Sequence, residues 1–321
     1  MTEVWVSVPC SCVWADPLLP ASPSDALAAL PAEAERVRRA GARLIEFPAE
    51  LCAVDPAYAG PTFWADAARV LDGEGLGATV HLPFLWADLA ALDQSVWEGS
   101  VRSVRQALAA TSPLLPQLAV VHPTSYVTEA LVRQVPVERA AGLTMALAGR
   151  LVKALRVLVE EAIPGGERVG DRLALENLEG IPMDLFVRLV HMAGVRACLD
   201  VGHAISNGDD PLTTLRLLSS AGKLAGIHLH DAVPPPASDS EANRLPPPAS
   251  GLVASSFLPP VGRAHLPLGE GRLDLTGLAA ALSETRFEGP IVLEVEGDPY
   301  LALVRFLGRC RAADHLRTEA R

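Results

Sequence analysis

The sequence predicts an α/β fold in the form of a closed (β/α)8 barrel, and two observations carry that expectation. Short apolar or β-branched runs alternate with longer stretches of helical periodicity, and eight such runs follow one another along the chain. Histidines and acids gather where those runs end, and in a parallel barrel the strand ends form one functional face. The runs read as strands are Val4–Val8, Leu44–Phe47, Thr79–His81, Leu118–His122, Leu173–Glu176, Ala197–Asp200, Ala225–His228 and Ile291–Val295. An open doubly wound sheet would favour a Gly-rich phosphate turn after an early strand, and this chain has none there.

The helices between them are punctuated. In "DDPLTTLRLLSSAG", Asp210 stands as N-cap, Pro211 as first helical residue and Gly222 as stop. "IPMDLFVRLVHMAG" repeats the device with Pro182 and Gly194. Leu143–Ala162 is a long amphipathic stretch closed by Pro164, Gly165 and Gly166. One segment breaks the rhythm. Residues 233–260 are proline-rich with little periodicity, a loop insertion after strand 7 that serves either as a tolerated surface loop or as a lid. The rest reads as one barrel domain over residues 1–321.

Bulk composition limits the partners. The chain has 321 residues, 50% hydrophobic and 20% charged, which suits a sizeable core. A net charge of −11 disfavours charge-driven binding to nucleic acid or anionic membrane. Five cysteines without a C-x-x-C pair argue against a disulfide framework and for a reducing cytoplasm. The opening "MTEVWVSVP" carries an acid where a signal peptide carries bases. No uncharged apolar run reaches the ~20 residues that cross a bilayer. The expectation is a soluble cytoplasmic protein with a small-molecule substrate, its oligomeric state left open.

The chemistry collects at the strand ends. Of eight histidines, His81, His122, His203, His228, His230 and His265 lie at or just beyond a strand. His191 and His315 fall within helices and read as ordinary structural residues. Glu176 ends "RLALE", Asp200 ends "ACLD" and Glu294 lies near the end of "PIVLEVE". An apolar strand that finishes in an acid needs a reason, because a buried carboxylate must be paired, protonated or metal-bound. Taken singly, each feature reads as a satisfied core residue. Converging on one barrel mouth, imidazoles and carboxylates form a ligand set for a divalent metal. In "GIHLHDA", strand alternation turns His228 and His230 to the same side.

In order, "LALENLEG", "CLDVGHA", "GIHLHD", "HLPLGEGRLD" and "GPIVLEVEG" resemble the xylose-isomerase-like TIM barrels over residues 78–297, with "VHLPF" and "VVHP" upstream. That superfamily includes sugar and sugar-phosphate isomerases and epimerases and the endonuclease IV-like nucleases. The resemblance implies a metal site of Glu176, Asp200, His228 and Glu294, holding Mn, Zn or Co. It implies Glu176 and Glu294 as the catalytic acid–base pair, working on a substrate whose enediolate the metal stabilises. His81 and His122 would share Glu176 to hold a second ion. His203 and His265 would face substrate or a further metal, with His230 orienting something nearby. Where the three-metal nucleases carry an acid, this chain carries Arg263, suited to a substrate phosphate or carboxylate.

Three functions are therefore in view. The first is an isomerase or epimerase of a small sugar, sugar phosphate or polyol. The second is a metal-dependent phosphodiester hydrolase. It acts on DNA, with Phe84, Leu85 and Trp86 either an apolar wedge or a packed rim, or on a small molecule. Among small-molecule hydrolases, "VWADPLLP" and "TSPLLPQLAVVH" look faintly like cobamide-remodelling enzymes. The third is a ligand-binding barrel without catalysis, against which the intact ligand set weighs.

Overall fold

Eight strands close on themselves through parallel pairing alone: β1 Trp5–Pro9, β2 Leu44–Pro48, β3 Gly77–His81, β4 Ala119–Val121, β5 Leu173–Glu176, β6 Arg196–Asp200, β7 Leu224–Leu229 and β8 Pro290–Leu293. The structure, a computed structural model, describes residues 5–16, 19–125, 128, 137–160, 169–234 and 263–319. Around the barrel, β1 pairs with both β2 and β8, and every other strand pairs with its chain neighbours. Each strand is followed by a helix: α1 Pro23–Ala40, α2 Pro61–Glu74, α3 Gln94–Thr111, α4 Val137–Val159, α5 Met183–Ala193, α6 Pro211–Ser220, α7 Leu275–Thr285 and α8 Pro299–Glu319. This is the TIM-barrel fold.

Period-two alternation divides each strand between two cores. Ile45 and Phe47, Leu173 and Leu175, Ala197 and Leu199, Ile227 and Leu229, and Ile291 and Leu293 all join the large cluster between barrel and helices. Their alternates face the barrel axis. There Leu118, Val120, Ala174 and Cys198 form a second, smaller apolar cluster, joined by Ala225 where the β6–β7 register shifts. Above it, toward the carboxyl ends, the inward residues turn polar. The barrel therefore has a dry floor and a charged mouth.

The helix punctuation is built as the sequence implies. Asp210 caps α6 with its carboxylate on the Leu212 and Thr213 amides, and Pro211 opens the helix. Gly194 ends α5 at φ 74°, the left-handed conformation that glycine takes without strain. Pro182 is a correction: its ψ of 137° is extended, so it stands at the cap and α5 begins at Met183. Strands Asp231–Val233 and Arg263–Leu266 pair antiparallel beyond β7. The proline-rich segment between them lies, from 235 to 262, outside the described residues. No described helix is long and apolar enough to cross a membrane.

The barrel floor is tight at Gly226, since a Cβ there would come within 2.3 Å of Leu118 Cδ2. Gly226→Val should overpack this layer and lower stability by about 1–3 kcal/mol. A denaturant midpoint equal to that of the unaltered protein would refute the packing described.

Candidate metal centre

The strands deliver their polar residues to one place. Inward alternates at the carboxyl ends are Glu46 on β2, His81 on β3, Glu176 on β5, Asp200 on β6 and His228 on β7. His122, His230 and Glu294 follow β4, β7 and β8 directly. One ligand atom from each of Glu176, Asp200, His228 and Glu294 lies within 4.8 Å of the others. His81, His122 and Glu176 form another such group, and so do His203, His230 and His265. Above them opens a cavity of about 260 Å³ whose walls include Pro9, Trp14, Pro48, Phe84 and Thr124.

Distances within the first group suit an ion. His228 Nδ1 is 3.1 Å from Glu176 Oε1 and 3.2 Å from Glu294 Oε1. His122 Nε2 lies 3.2 Å, and His81 Nε2 3.5 Å, from the other oxygen of Glu176. Ligands at about 2.1 Å from one cation are spaced about 3.0–3.4 Å apart. Glu176 Oε2 and His228 Nε2 are buried without a hydrogen-bond partner among the described residues. Buried polar atoms are ordinarily satisfied. A nitrogen-and-oxygen donor set with an orphaned carboxylate oxygen at its centre fits a divalent cation.

Several imidazoles have their tautomers set by backbone. His81 Nδ1 faces the Leu82 carbonyl at 3.1 Å, His203 Nδ1 the Asn177 carbonyl at 3.0 Å and His265 Nδ1 the Glu294 carbonyl at 2.9 Å. A carbonyl only accepts, so Nδ1 donates in each and Nε2 is left open, as in metal-ligating histidines. His230 differs. Its Nδ1 has the His265 amide at 2.8 Å and the Asp231 carbonyl at 3.2 Å beside it, and its Nε2 lies 2.9 Å from Asp200 Oδ2. Burial lowers this ring's pKa, and the pull of Asp200 more than offsets that, raising it to about 9.

Supporting residues explain the sequence around the acids. The Asn177 side chain bridges β5 to β6, donating to the Asp200 carbonyl and accepting from its amide at 2.9 and 2.8 Å. Asp200 Oδ1 accepts the His203 amide at 2.7 Å and caps the short helix Val201–Ser206. Gly202 is required because a Cβ would sit 1.9 Å from the His230 ring. Asp231 ligates nothing. Its carboxylate takes the amides of Ala232, Gly269 and Leu273, each at 2.9 Å, and so pins the loop after His265. His265 itself sits at φ 55°, a left-handed conformation that strains a side-chain-bearing residue. Glu50 Oε2 takes the amides of Phe84 and Leu85, seating the Phe84 ring against His81 and His122.

Electrostatically the cluster is self-compensating. Burial pushes Glu176 up, yet His228 and His122 hold it well below the usual carboxylate range. Burial likewise opposes ionisation of Asp200, and His203 and His230 overcome it. His81 loses by burial and gains more from Glu176, ending at about 9. Glu46 alone among the acids goes up, to about 7, through burial.

Of the residues singled out by sequence, Glu176, Asp200, His228, Glu294, His81, His122, His203, His230 and His265 come together at this mouth. Arg263 is exposed on its hairpin strand and does not line the cavity. Phe84 turns inward, while Leu85 and Trp86 are 41% and 75% exposed. Sequence reasoning missed Glu46, although "LIEFP" carries the same signal as "LALE": an acid in an otherwise apolar strand.

The model of the xylose isomerase-like TIM barrel family matches residues 34–317. No curated protein matches the chain. Among solved structures, a D-psicose 3-epimerase from Clostridium cellulolyticum H10, solved with D-tagatose, is 15% identical with TM-score 0.61, covering 98% of each chain. A putative sugar phosphate isomerase/epimerase from Anabaena variabilis ATCC 29413 is 13% identical with TM-score 0.66, over 97% of this chain and 98% of that one. A D-tagatose 3-epimerase-like protein is 16% identical with TM-score 0.61, over 89% and 93%. At such identities these likenesses speak to the fold alone. By the match of its model across most of the sequence, the chain belongs to the xylose isomerase-like TIM barrel family.

Proposed function

We propose that the protein is a divalent-metal-dependent isomerase or epimerase of a small sugar, sugar phosphate or polyol. One observation carries the reading: four ligand atoms from Glu176, Asp200, His228 and Glu294 converge beneath a cavity of about 260 Å³. A space of that size suits a ligand smaller than most drugs. The named epimerases among the structural neighbours support the choice by analogy. Manganese, zinc and cobalt all match the donor set.

Glu176, Asp200, His228 and Glu294 would hold the ion, which when bound supplies a positive charge for adjacent substrate oxygens. Glu176 and Glu294 line the cavity from strands three places apart, so each reaches the substrate from a different side. One, ionised, takes the proton from carbon; the other returns a proton to the opposite face, and must first take that proton up from a substrate hydroxyl or solvent. His203 and His265, also in the wall, present Nε2 toward substrate oxygens. Phe84, Trp14 and Leu178 exclude water from one flank.

A second reading has its own observation. His81 and His122 meet the second oxygen of Glu176, a ready position for another ion. Two ions bridged by Glu176 would suit hydrolysis of a phosphodiester.

Metal content separates the two readings: about one ion per chain with epimerisation of ketoses supports the first, and two with phosphodiester cleavage the second. Neither metal uptake nor metal-dependent turnover after reconstitution would sink both. Glu176→Gln should cut turnover by about 10²–10⁴-fold under either, and a fully active variant would remove Glu176 from its role.

Ion loading should also release protons. His81, raised to about 9, holds a proton at pH 7.5 in the ion-free protein, and a ligand nitrogen must give it up. Calorimetric titration in buffers of different ionisation enthalpy should find a proton expelled when an ion engages His81. The release should fade as pH rises past about 9. A count of zero at every pH places His81 outside the ligand set and removes the two-ion reading.

A further inference from the structure

We propose that Glu46 is a positioning residue: its carboxylate is the acceptor that keeps the ring proton of His228 on Nε2 and so presents Nδ1, unprotonated, to the cation. The inference rests on the metal reading above and assigns a role to a residue outside the ligand set.

His228 offers its two nitrogens to different surroundings. Nδ1 sits among ligand oxygens, 3.1 Å from Glu176 and 3.2 Å from Glu294. Nε2 is buried on the other side of the ring with no hydrogen-bond partner among the described residues. If Nδ1 binds the ion, the ring's one proton resides on Nε2, and a buried donor without an acceptor is costly. Glu46 Oε1 lies 4.0 Å from that nitrogen. An ion at Nδ1 withdraws electron density from the ring and acidifies Nε2–H, which strengthens its attraction to the carboxylate. Metal-bound histidines characteristically give their second N–H to such a group.

Glu46 is itself held from behind. Thr79 Oγ1 donates to Glu46 Oε1 at 3.3 Å, and Ser7 Oγ is 2.9 Å from Thr79 Oγ1. Ser7, Thr79 and Glu46 come from β1, β3 and β2, are 4% exposed or less, and form a polar file ending at His228. The Cys198 thiol also contacts the ring, but burial lifts its pKa to about 12. It stays protonated and is a weak acceptor, no substitute for a carboxylate. Buried this deeply and outside the ligand set, the carboxylate draws its compensation from Thr79, His228 and His81.

The test strips the protein with a chelator and titrates Zn²⁺ in competition with a chromophoric chelator. Glu46→Ala should weaken Zn²⁺ binding about 10–100-fold. Glu46→Gln, whose amide oxygen still accepts a hydrogen bond, should recover most of it. The thermal midpoint of the ion-free Glu46→Ala protein should match or exceed that of the unaltered one, because a buried charge has gone. In a His228→Ala background, adding Glu46→Ala should change affinity no further. Unchanged Zn²⁺ affinity in Glu46→Ala, or an equal loss with and without His228, overturns the proposal. So does a purely structural pattern, in which the ion-free protein melts lower and affinity holds. If the unaltered protein binds no Zn²⁺, the metal reading falls and takes this one with it; if it binds and Glu46→Ala is silent, only this one falls.

Discussion

The mutual neutralisation of buried acids and imidazoles at the barrel mouth is the constraint on which the rest of the site depends. Glu46, Glu176, Asp200, His228 and His230 are at most 4% exposed. Any one of them, charged and alone at that depth, would cost several kcal/mol. Each acid therefore faces imidazole: Glu176 has His228, His122 and His81, and Asp200 has His230 and His203. In the ion-free protein, protons on some of these rings supply the positive charge. A divalent cation would supply it from a single centre, releasing those protons and leaving the same carboxylates compensated. The site's acid-base balance and its fit to a metal are two aspects of one electrostatic requirement.

Barrel alternation is what lets a chain with that cluster fold. In "LALE", the two leucines reach the helix layer, while Ala174 and Glu176 face the axis, one on the dry floor and one at the mouth. The pattern recurs in "CLD", where Cys198 lies below Asp200, and in "GIHLH", where Gly226 lies below His228 and His230 follows on the same side. Small or apolar inward residues at depth let the strands close. Acids and imidazoles gather toward the carboxyl ends, with the hydroxyls of Ser7 and Thr79 behind Glu46.

That regularity explains how much was legible. All eight strands were visible from apolar runs, within one or two residues at their ends, because each must bury one face against helices. The cluster was visible because a carboxylate at the end of an apolar strand demands a partner, a proton or a metal. Glu46 escaped because "LIEFP" runs on into Phe47 and Pro48, with no second polar residue to mark the strand end. The supporting roles of Asn177, Gly202 and Asp231 depend on partners far off in sequence or across a turn, such as Leu273 on Asp231. No local pattern encodes these. Arg263 was linked to the site by its spacing from His265, yet the left-handed turn at His265 directs that ring inward while Arg263 stays exposed.

Glu176 has the most consequential geometry, since its two oxygens serve two groups. Oε1 faces His228, and also His203 at 3.7 Å, whereas Oε2 faces His81 and His122. A single ion on the first side leaves the second pair of imidazoles to bind substrate or to hold protons. Were an ion held on both sides, the same carboxylate would serve both and the chemistry supplied would be activation of water. The choice between isomerase and hydrolase is thus concentrated in one side chain and in how tightly His81 and His122 compete for a cation. Phe84, seated against both rings by Glu50, makes that pocket partly apolar. Low polarity disfavours adding a second isolated charge there, which is an argument for the one-ion reading proposed above.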